Sequence, residues 1–412
     1  MSDNAISSNS PKRGVGAQAI LLAGATGIAQ LITALIFVIA ARSTDPAQFG
    51  TVVAAMALGT SFVGFVDFGT NGYWVRELAR KKLNVEEFGQ RLTTKVLVAG
   101  IISILLGGAS YVIAPESNYW MAAPVGFALF VNQSAQVPLR GMARTELISF
   151  SVLLDRTIAF GILVLLIAIG FDAYSSLWMC LTVGSLSAAV LGWRLTPAAM
   201  RPVLKLNLRA NPWRGAGFYG LSTAAVSAQT LDLPLLALSG GPLAAGLYGA
   251  VNRWTQPLGL LVTAFASASA PFVARSGSWG EAWLHVRKAL WVPLAAIVGC
   301  IVVAAFAPLA VRFLLGNAYE DSATVLRILA LAMVPVIVNQ PLAGFLQSMG
   351  HDKGVSVIIM ISVVAQLASV FVLGMLLGAV GAAIGFAILQ LAIMVSLLIF
   401  TRWAARHRLT RP

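Results

Sequence analysis

Charge is what this sequence has least of. Only 10% of its 412 residues are Asp, Glu, Lys or Arg, whereas 58% are hydrophobic, and the mean hydropathy is +0.84. Soluble domains carry about 25% charged residues, so a soluble globular fold is excluded. Acid is scarcer than base, with 15 Asp and Glu against 28 Lys and Arg. The 3 histidines, His285, His351 and His407, fall in separate segments without metal-ligand spacing. The 2 cysteines, Cys180 and Cys300, lie inside apolar runs with no motif around them, as small core residues do, and no disulfide is expected. There is no nucleophile–base arrangement, phosphate-binding glycine loop or zinc pattern. The chain is therefore not expected to be an enzyme or to hold a cofactor.

What is present is a series of apolar runs, each near the roughly 20 residues that cross a bilayer as helix. Twelve spans are expected: Val15–Ala41, Ala47–Thr70, Val96–Ala114, Tyr119–Pro138, Leu147–Gly170 and Tyr174–Leu195, then Gly215–Ser239, Leu243–Val273, Ala289–Leu315, Ala323–Leu346, Val355–Leu377 and Val380–Thr401. The first run is too long for a cleavable signal, whose apolar core is about 7–15 residues, so it is read as a retained helix. Trp74, Tyr119, Trp120, Trp193, Trp291 and Trp403 fall near span ends, where interfacial aromatics belong. The fold class is thus an all-α polytopic membrane protein. Residues 1–13 form a polar, disordered tail, 14–195 a first lobe of six spans, 196–214 a polar linker, 215–401 a second lobe of six, and 402–412 a basic tail.

Orientation follows from the basic residues. Counting Lys95 and Arg91 with the loops, 23 of the 28 Lys and Arg fall on one side, and only Arg42 and Arg312 on the other. Basic loops stay cytoplasmic, so both termini are expected inside. Because these charges are spread over many loops, topology and anionic lipid head groups account for them, and no nucleic-acid partner is expected. The outward loops are short, which leaves no external domain for catalysis. A protein built this way moves something.

The charges inside the spans are the candidates for contact with what is moved, because an intramembrane ion is costly and by default functional. The stretch Arg214–Arg275 reads as a helical hairpin turning at Ser239-Gly240-Gly241-Pro242, with Asp232 late in its first helix and Arg253 early in its second. Asp155 and Arg156 lie at similar depth in the fifth span. As neighbours they point about 100° apart and are not expected to neutralise one another across one helix face. Two readings of Asp232 and Arg253 stay open, a static ion pair across the hairpin or contacts to a ligand; Arg156 likewise either pairs with Asp155 or Asp232 or meets a ligand. Polar stripes recur at helical spacing at Arg253, Gln256 and Thr263, at Thr223, Ser227 and Thr230, and at Thr26, Gln30 and Thr33. Asn339 and Gln340 beside Pro341 are candidates to line a kinked tenth span. Gly374/Gly378 and Gly381/Gly385 read as sites of close helix packing. Asp67, near the inner end of its span, reads as a loop anchor.

An internal repeat supports the two lobes. Ser43 to Gly50 matches Ser239 to Gly246 in its serine, proline and glycine, and Asn132-Gln133 with Pro138 to Gly141 resembles Asn339-Gln340-Pro341 to Gly344. Both halves would begin inside, giving a parallel repeat about the membrane normal. At the repeat offset the counterpart of Arg253 is Ala57, so the first half draws its charge from Arg156 instead.

Phe49-Gly50, Asp67-Phe-Gly69, Arg76-Glu-Leu-Ala79, Gly246-Leu-Tyr-Gly249, Asn252-Arg253, Leu314-Leu-Gly316 with Tyr319, and Ala323 to Arg327 occur in that order over nearly the full length. In this the chain resembles the polysaccharide-export flippases of the multidrug/oligosaccharidyl-lipid/polysaccharide (MOP) superfamily. The resemblance implies a twelve-span bacterial inner-membrane protein that moves an isoprenoid-diphosphate-linked oligosaccharide from the inner to the outer leaflet by alternating access. Membrane lipids and other polysaccharide-assembly membrane proteins are the implied partners. The lipid II flippases of that superfamily usually carry two further spans, for which this chain has no room. On this reading Arg253, Arg156, Asp232, Asp155, Gln256, Gln340 and Asn339 bind the substrate, and transport draws on the membrane potential or on coupled H+ or Na+. A drug or cation exporter of the same superfamily would need a cavity dominated by acids, and a membrane polysaccharide polymerase or ligase would need an external catalytic loop.

Overall fold

A computed structural model describes residues 15–202, 210–255, 290–348 and 351–408, with isolated positions between 256 and 289. The tail 1–13, linker residues 203–209 and the later part of the expected hairpin, with Gln256 and Thr263, lie outside the described residues. Among those described there is no strand. The first half comprises α1 (Val15–Arg42), α2 (Pro46–Asp67), α3 (Thr70–Ala79), α4 (Val85–Ile113), α5 (Ala122–Ala135), α6 (Val137–Gly141), α7 (Thr145–Ala168) and α8 (Ala173–Leu195). The second comprises α9 (Gly217–Gln229), α10 (Asp232–Asn252), α11 (Trp291–Ala305), α12 (Ala307–Leu314), α13 (Ser322–Ser348) and α14 (Asp352–Arg408). Among the described residues 8 helices are long and apolar enough to cross a membrane, or 9 if α11 and α12, bent by 68°, form one span.

Several described helices break where the expectation had separate spans. Gly241, at φ 84°, breaks α10, and Gly378, at φ 59°, breaks α14. Only glycine takes such values without strain. After each break the chain folds back. The Tyr248 hydroxyl reaches Asp232 across the first turn, and Cβ atoms placed on Gly354 and Gly385 would run into Phe400 and Ser369 across the second. Gly378 therefore makes a turn, while Gly374, Gly381 and Gly385 do permit close approach. The expected fourth span is split between α5 and α6, because Pro138 has no N–H to give the carbonyl of Ser134.

Local chemistry sets other helix ends. Asp45 accepts the Ala47 N–H at 2.9 Å just before Pro46, and Asn84 caps α4 through the Glu86 N–H at 3.0 Å. At the end of α2, Phe68 and Gly69 both turn left-handed. Asp67 then accepts from the Thr70 hydroxyl at 2.8 Å and the Asn71 N–H, anchoring α3 as expected.

Two expectations about charge and aromatics are corrected at this elbow. Lys95 is not a loop cation: it lies in α4, fully buried, with its ammonium on Asp67, 2.8 Å from Asn71 Oδ1 and over the rings of Trp74 and Phe130. Arg91, on the same helix, is also buried. Neither stands in an exposed loop. Trp74 is buried and edge-on to Phe88 rather than interfacial, whereas Trp291 and Trp403 are exposed.

In the first half α7 packs on α1 and α8, and α5 on α8, α4 and α2; in the second α14 packs on α10 and α13, and α11 on α13. The halves meet where α2 crosses α10. A Cβ on Gly50 would overlap the Pro242 carbonyl, and one on Gly246 would overlap the Pro46 carbonyl. These are corresponding positions of the sequence repeat, each touching its counterpart's partner. Phe49 fills the same crossing, edge-on to Phe37 and to Tyr319.

Candidate functional site: a two-arginine cavity

A cavity of about 240 Å³ opens between α1, α5, α7 and the end of α10. Its polar lining is Thr26, Gln30 and Thr33 from α1, Asn132, Gln133 and Gln136 from α5 and the residue after it, Asp155 and Arg156 from α7, and Arg253. Arg156 and Arg253 thus face one space from the two halves of the chain. Arg253 stands where α10 ends and a short 3-10 turn, Arg253–Thr255, begins. A helix C-terminus carries partial negative charge and favours a cation.

Of the two readings left open for Asp232 and Arg253, the direct ion pair is not formed among the described residues. No carboxylate lies within 4.0 Å of Arg253 among the described residues. Asp232 instead begins α10: one oxygen accepts the Leu233 N–H at 2.7 Å and the other the Tyr248 hydroxyl at 3.2 Å. An acid in the first turn is stabilised by the helix dipole, which gives Asp232 a structural reason to exist. The guanidinium of Arg253 lies 3.9 Å from the centre of the Phe37 ring. That cation–π contact, worth about 2 kcal/mol where water is excluded, offsets part of the burial cost and leaves the guanidinium edge able to take an anion.

Asp155 and Arg156 do pair, at 3.3 Å. The expectation that neighbours cannot do so considered where the Cβ bonds point and overlooked the reach of an arginine side chain, which folds back along its helix. Asp155 is buried and also accepts from Asn132 Nδ2 at 2.9 Å and from the Ser185 hydroxyl at 3.3 Å. Those neutral donors share the carboxylate with Arg156. The Arg156 side chain is 19% exposed.

The remaining candidates separate. Thr26, Gln30 and Thr33 line the cavity. Ser227 and Thr230 do not: Thr230 shares a hydrogen bond with Ser61, and Ser227 fills the space beside Gly64, so that stripe joins helices. Asn339 donates to the Gln390 carbonyl at 3.0 Å and, with Gln390 and Gln366, forms an amide cluster away from this cavity. Gln340 is exposed on α13 and does not line the cavity. Sequence reasoning missed Phe37, Gln136 and Ser185 as site residues. Only Gln136 left a signal, one helical turn after Asn132. Among the described residues no group of His, Cys, Asp and Glu is placed to hold a metal ion.

Comparison with known proteins agrees with this architecture. An inward-facing multidrug-resistance MATE transporter of the MOP superfamily matches with a TM-score of 0.70 at 15% identity, over 92% of this chain and 94% of that one. The lipid II flippase MurJ, in an inward closed conformation, matches with a TM-score of 0.74 at 13% identity, over 93% and 87%. A MOP transporter from Pyrococcus furiosus, described as having a binding pocket of reversed polarity, matches at 0.56 and 14% over 96% and 99%. No curated protein sequence matches. At these identities the structures establish the fold alone, that of a multi-pass MOP transporter. The model of the polysaccharide biosynthesis protein family matches residues 15–276, well over half of the chain, and the protein belongs to that family.

Proposed function

We propose that the protein is a flippase that carries an isoprenoid-diphosphate-linked oligosaccharide from the inner to the outer leaflet of the bacterial inner membrane, for surface polysaccharide assembly. Its twelve spans form two six-helix lobes, 14–195 and 215–401, joined by the linker 196–214, with both termini and the tails 1–13 and 402–412 cytoplasmic. The helical breaks at Gly241 and Gly378, the bent α11–α12 pair and the split α5–α6 segment support spans beyond the continuous helices. The reciprocal Gly50–Gly246 crossing supports the pseudo-two-fold.

The observation that carries the reading is the pair Arg156 and Arg253 on one cavity, with the second lacking any carboxylate within 4.0 Å among the described residues. A diphosphate brings the missing negative charge, and guanidinium binds its oxygens bidentately. Gln30, Gln133, Asn132 and Thr26 offer donors and acceptors to sugar hydroxyls. Gln256 and Gln340 are kept as further substrate contacts, Asn339 is assigned with its amide cluster to fixing the second half, and Asp232 to holding the start of α10. With the cell interior negative, outward movement of an anion is favoured by about 2.3 kcal/mol per charge per 100 mV. Binding of phosphate to Arg156 releases Asp155, which then accepts H+ or Na+ as the coupling ion.

The test is Arg253→Ala in proteoliposomes. Leaflet transfer of a lipid-diphosphate oligosaccharide is expected to be lost while the protein still inserts and elutes as a folded species. Normal transfer by that variant overturns the role of Arg253. Asp155 in the cavity favours one competing reading, export of organic cations, and dye efflux from vesicles with no transfer of lipid-linked sugar would establish it instead.

A further inference from the structure

Arg140 is a cation outside the central cavity. It lies in α6, just past Pro138 at the cytoplasmic end of the expected fourth span, and is solvent-exposed. No carboxylate lies within 4.0 Å of it among the described residues. Its Nη2 donates to Gln136 Oε1 at 3.1 Å, Gln136 Nε2 donates to Asn132 Oδ1 at 3.2 Å, and Asn132 Nδ2 donates to Asp155 at 2.9 Å. Residues 132, 136 and 140 share one helix face, and the first two line the arginine cavity. Arg140 is therefore the exposed end of a side-chain ladder whose other end lies in the arginine cavity.

We propose that Arg140 is a capture site for the diphosphate head group at the cytoplasmic mouth, occupied before the group reaches Arg156 and Arg253. The inference rests on the flippase reading above. At helical rise, Arg140 lies roughly 12 Å from the level of Asn132, so one diphosphate cannot engage both ends of the ladder at once and must pass from one to the other. The donors of Arg140 not used by Gln136 suit a phosphate oxygen pair. Gln136 and Asn132, between the two cationic levels, offer amide N–H groups along the way.

The experiment compares wild type, Arg140→Gln and Arg140→Lys in two measurements: transfer kinetics in proteoliposomes, and binding of a fluorescent isoprenoid diphosphate to the detergent-purified full chain. Arg140→Gln retains a donor for Gln136 and removes the charge. Capture predicts that it slows association and raises KM about tenfold, the loss expected for one charge-assisted contact, with equilibrium Kd and turnover at saturation unchanged. Arg140→Lys is expected to fall between it and wild type. Wild-type KM in Arg140→Gln, or a fall in turnover at unchanged KM, overturns the capture site and leaves a purely helix-holding role. Equal competition by phosphatidylglycerol also overturns it, by making the site a general lipid contact. Failure of wild type itself to bind the diphosphate refutes the flippase reading instead, so the two failures are distinguishable.

Discussion

The two halves of the chain carry the same polar triad with different chemistry. In the first, Asn132 on α5, Asp155 on α7 and Ser185 on α8 share hydrogen bonds. In the second, Asn339 on α13 donates to Gln390, which donates to Gln366 on the other arm of α14. The helices correspond in order within each half, and Asn132 and Asn339 belong to the matching motifs of the repeat. One triad holds an ion and pairs it with Arg156; the other is made of neutral amides. Neutral amide bonds contribute about 1 kcal/mol each and fix helix positions. A buried ion pair contributes little net stability while it is intact, yet losing one partner is severe. The ionic triad can therefore respond to a ligand, and the amide triad is suited to hold its half rigid.

The largest effect is expected on the ionic side. Asp155→Ala leaves Arg156 with no carboxylate and should destabilise the protein by about 3 kcal/mol, read as a lowered thermal midpoint in detergent. Added inorganic diphosphate should restore part of that loss, because the anion replaces the missing charge. An unchanged midpoint would show that Arg156 is already solvated, and the contrast between the halves would lose its energetic basis.

A smaller effect is expected on the amide side. Gln366 is buried and accepts from Gln390 at 3.3 Å. Gln366→Leu fills the space but strands a donor, at a cost of about 1–3 kcal/mol. Transport in that variant should stay near wild type at a temperature where it is folded. Diphosphate should not shift its midpoint more than it shifts that of wild type. If transport falls as far as in Arg253→Ala, the second triad touches substrate after all.

What the sequence made legible follows the same divide between local and distant causes. The turn at Gly241-Pro242 was readable because glycine and proline act on their own backbone. The motif residues Phe49, Gly50, Gly246 and Tyr319 were recognisable as a signature, and they meet at the crossing of α2 and α10. Their conjunction there is a matter of packing that no local pattern states. Lys95 was misread because counting charges along a chain cannot see that Asp67 and Asn71 close around it. Arg253 stood out correctly as an ion in an apolar run, but its partner did not: Phe37 is one aromatic among 20 phenylalanines, and nothing in its neighbours marks it as a seat for a guanidinium. Asp155 and Arg156 were judged by helix geometry when side-chain length decided the matter.

The smallest predicted effect tests the contrast most sharply. Asp232 is the one buried acid among the described residues of the second half, so the division into an ionic and a neutral half depends on its being structural. Its oxygens are engaged by the Leu233 N–H and the Tyr248 hydroxyl, and both bonds lie within α10. Asn offers a carbonyl oxygen to the backbone N–H and remains a good residue at the start of a helix; only the charge–dipole attraction, about 0.3–1 kcal/mol, is lost. Asp232→Asn should therefore lower the thermal midpoint slightly and leave the transfer rate and its dependence on membrane potential as in wild type. Asp232→Ala, which removes both acceptors, should cost more stability with the same transport signature. A lost potential or pH dependence in Asp232→Asn, at unchanged stability, would move the coupling acid from Asp155 to Asp232 and make the second half the responsive one.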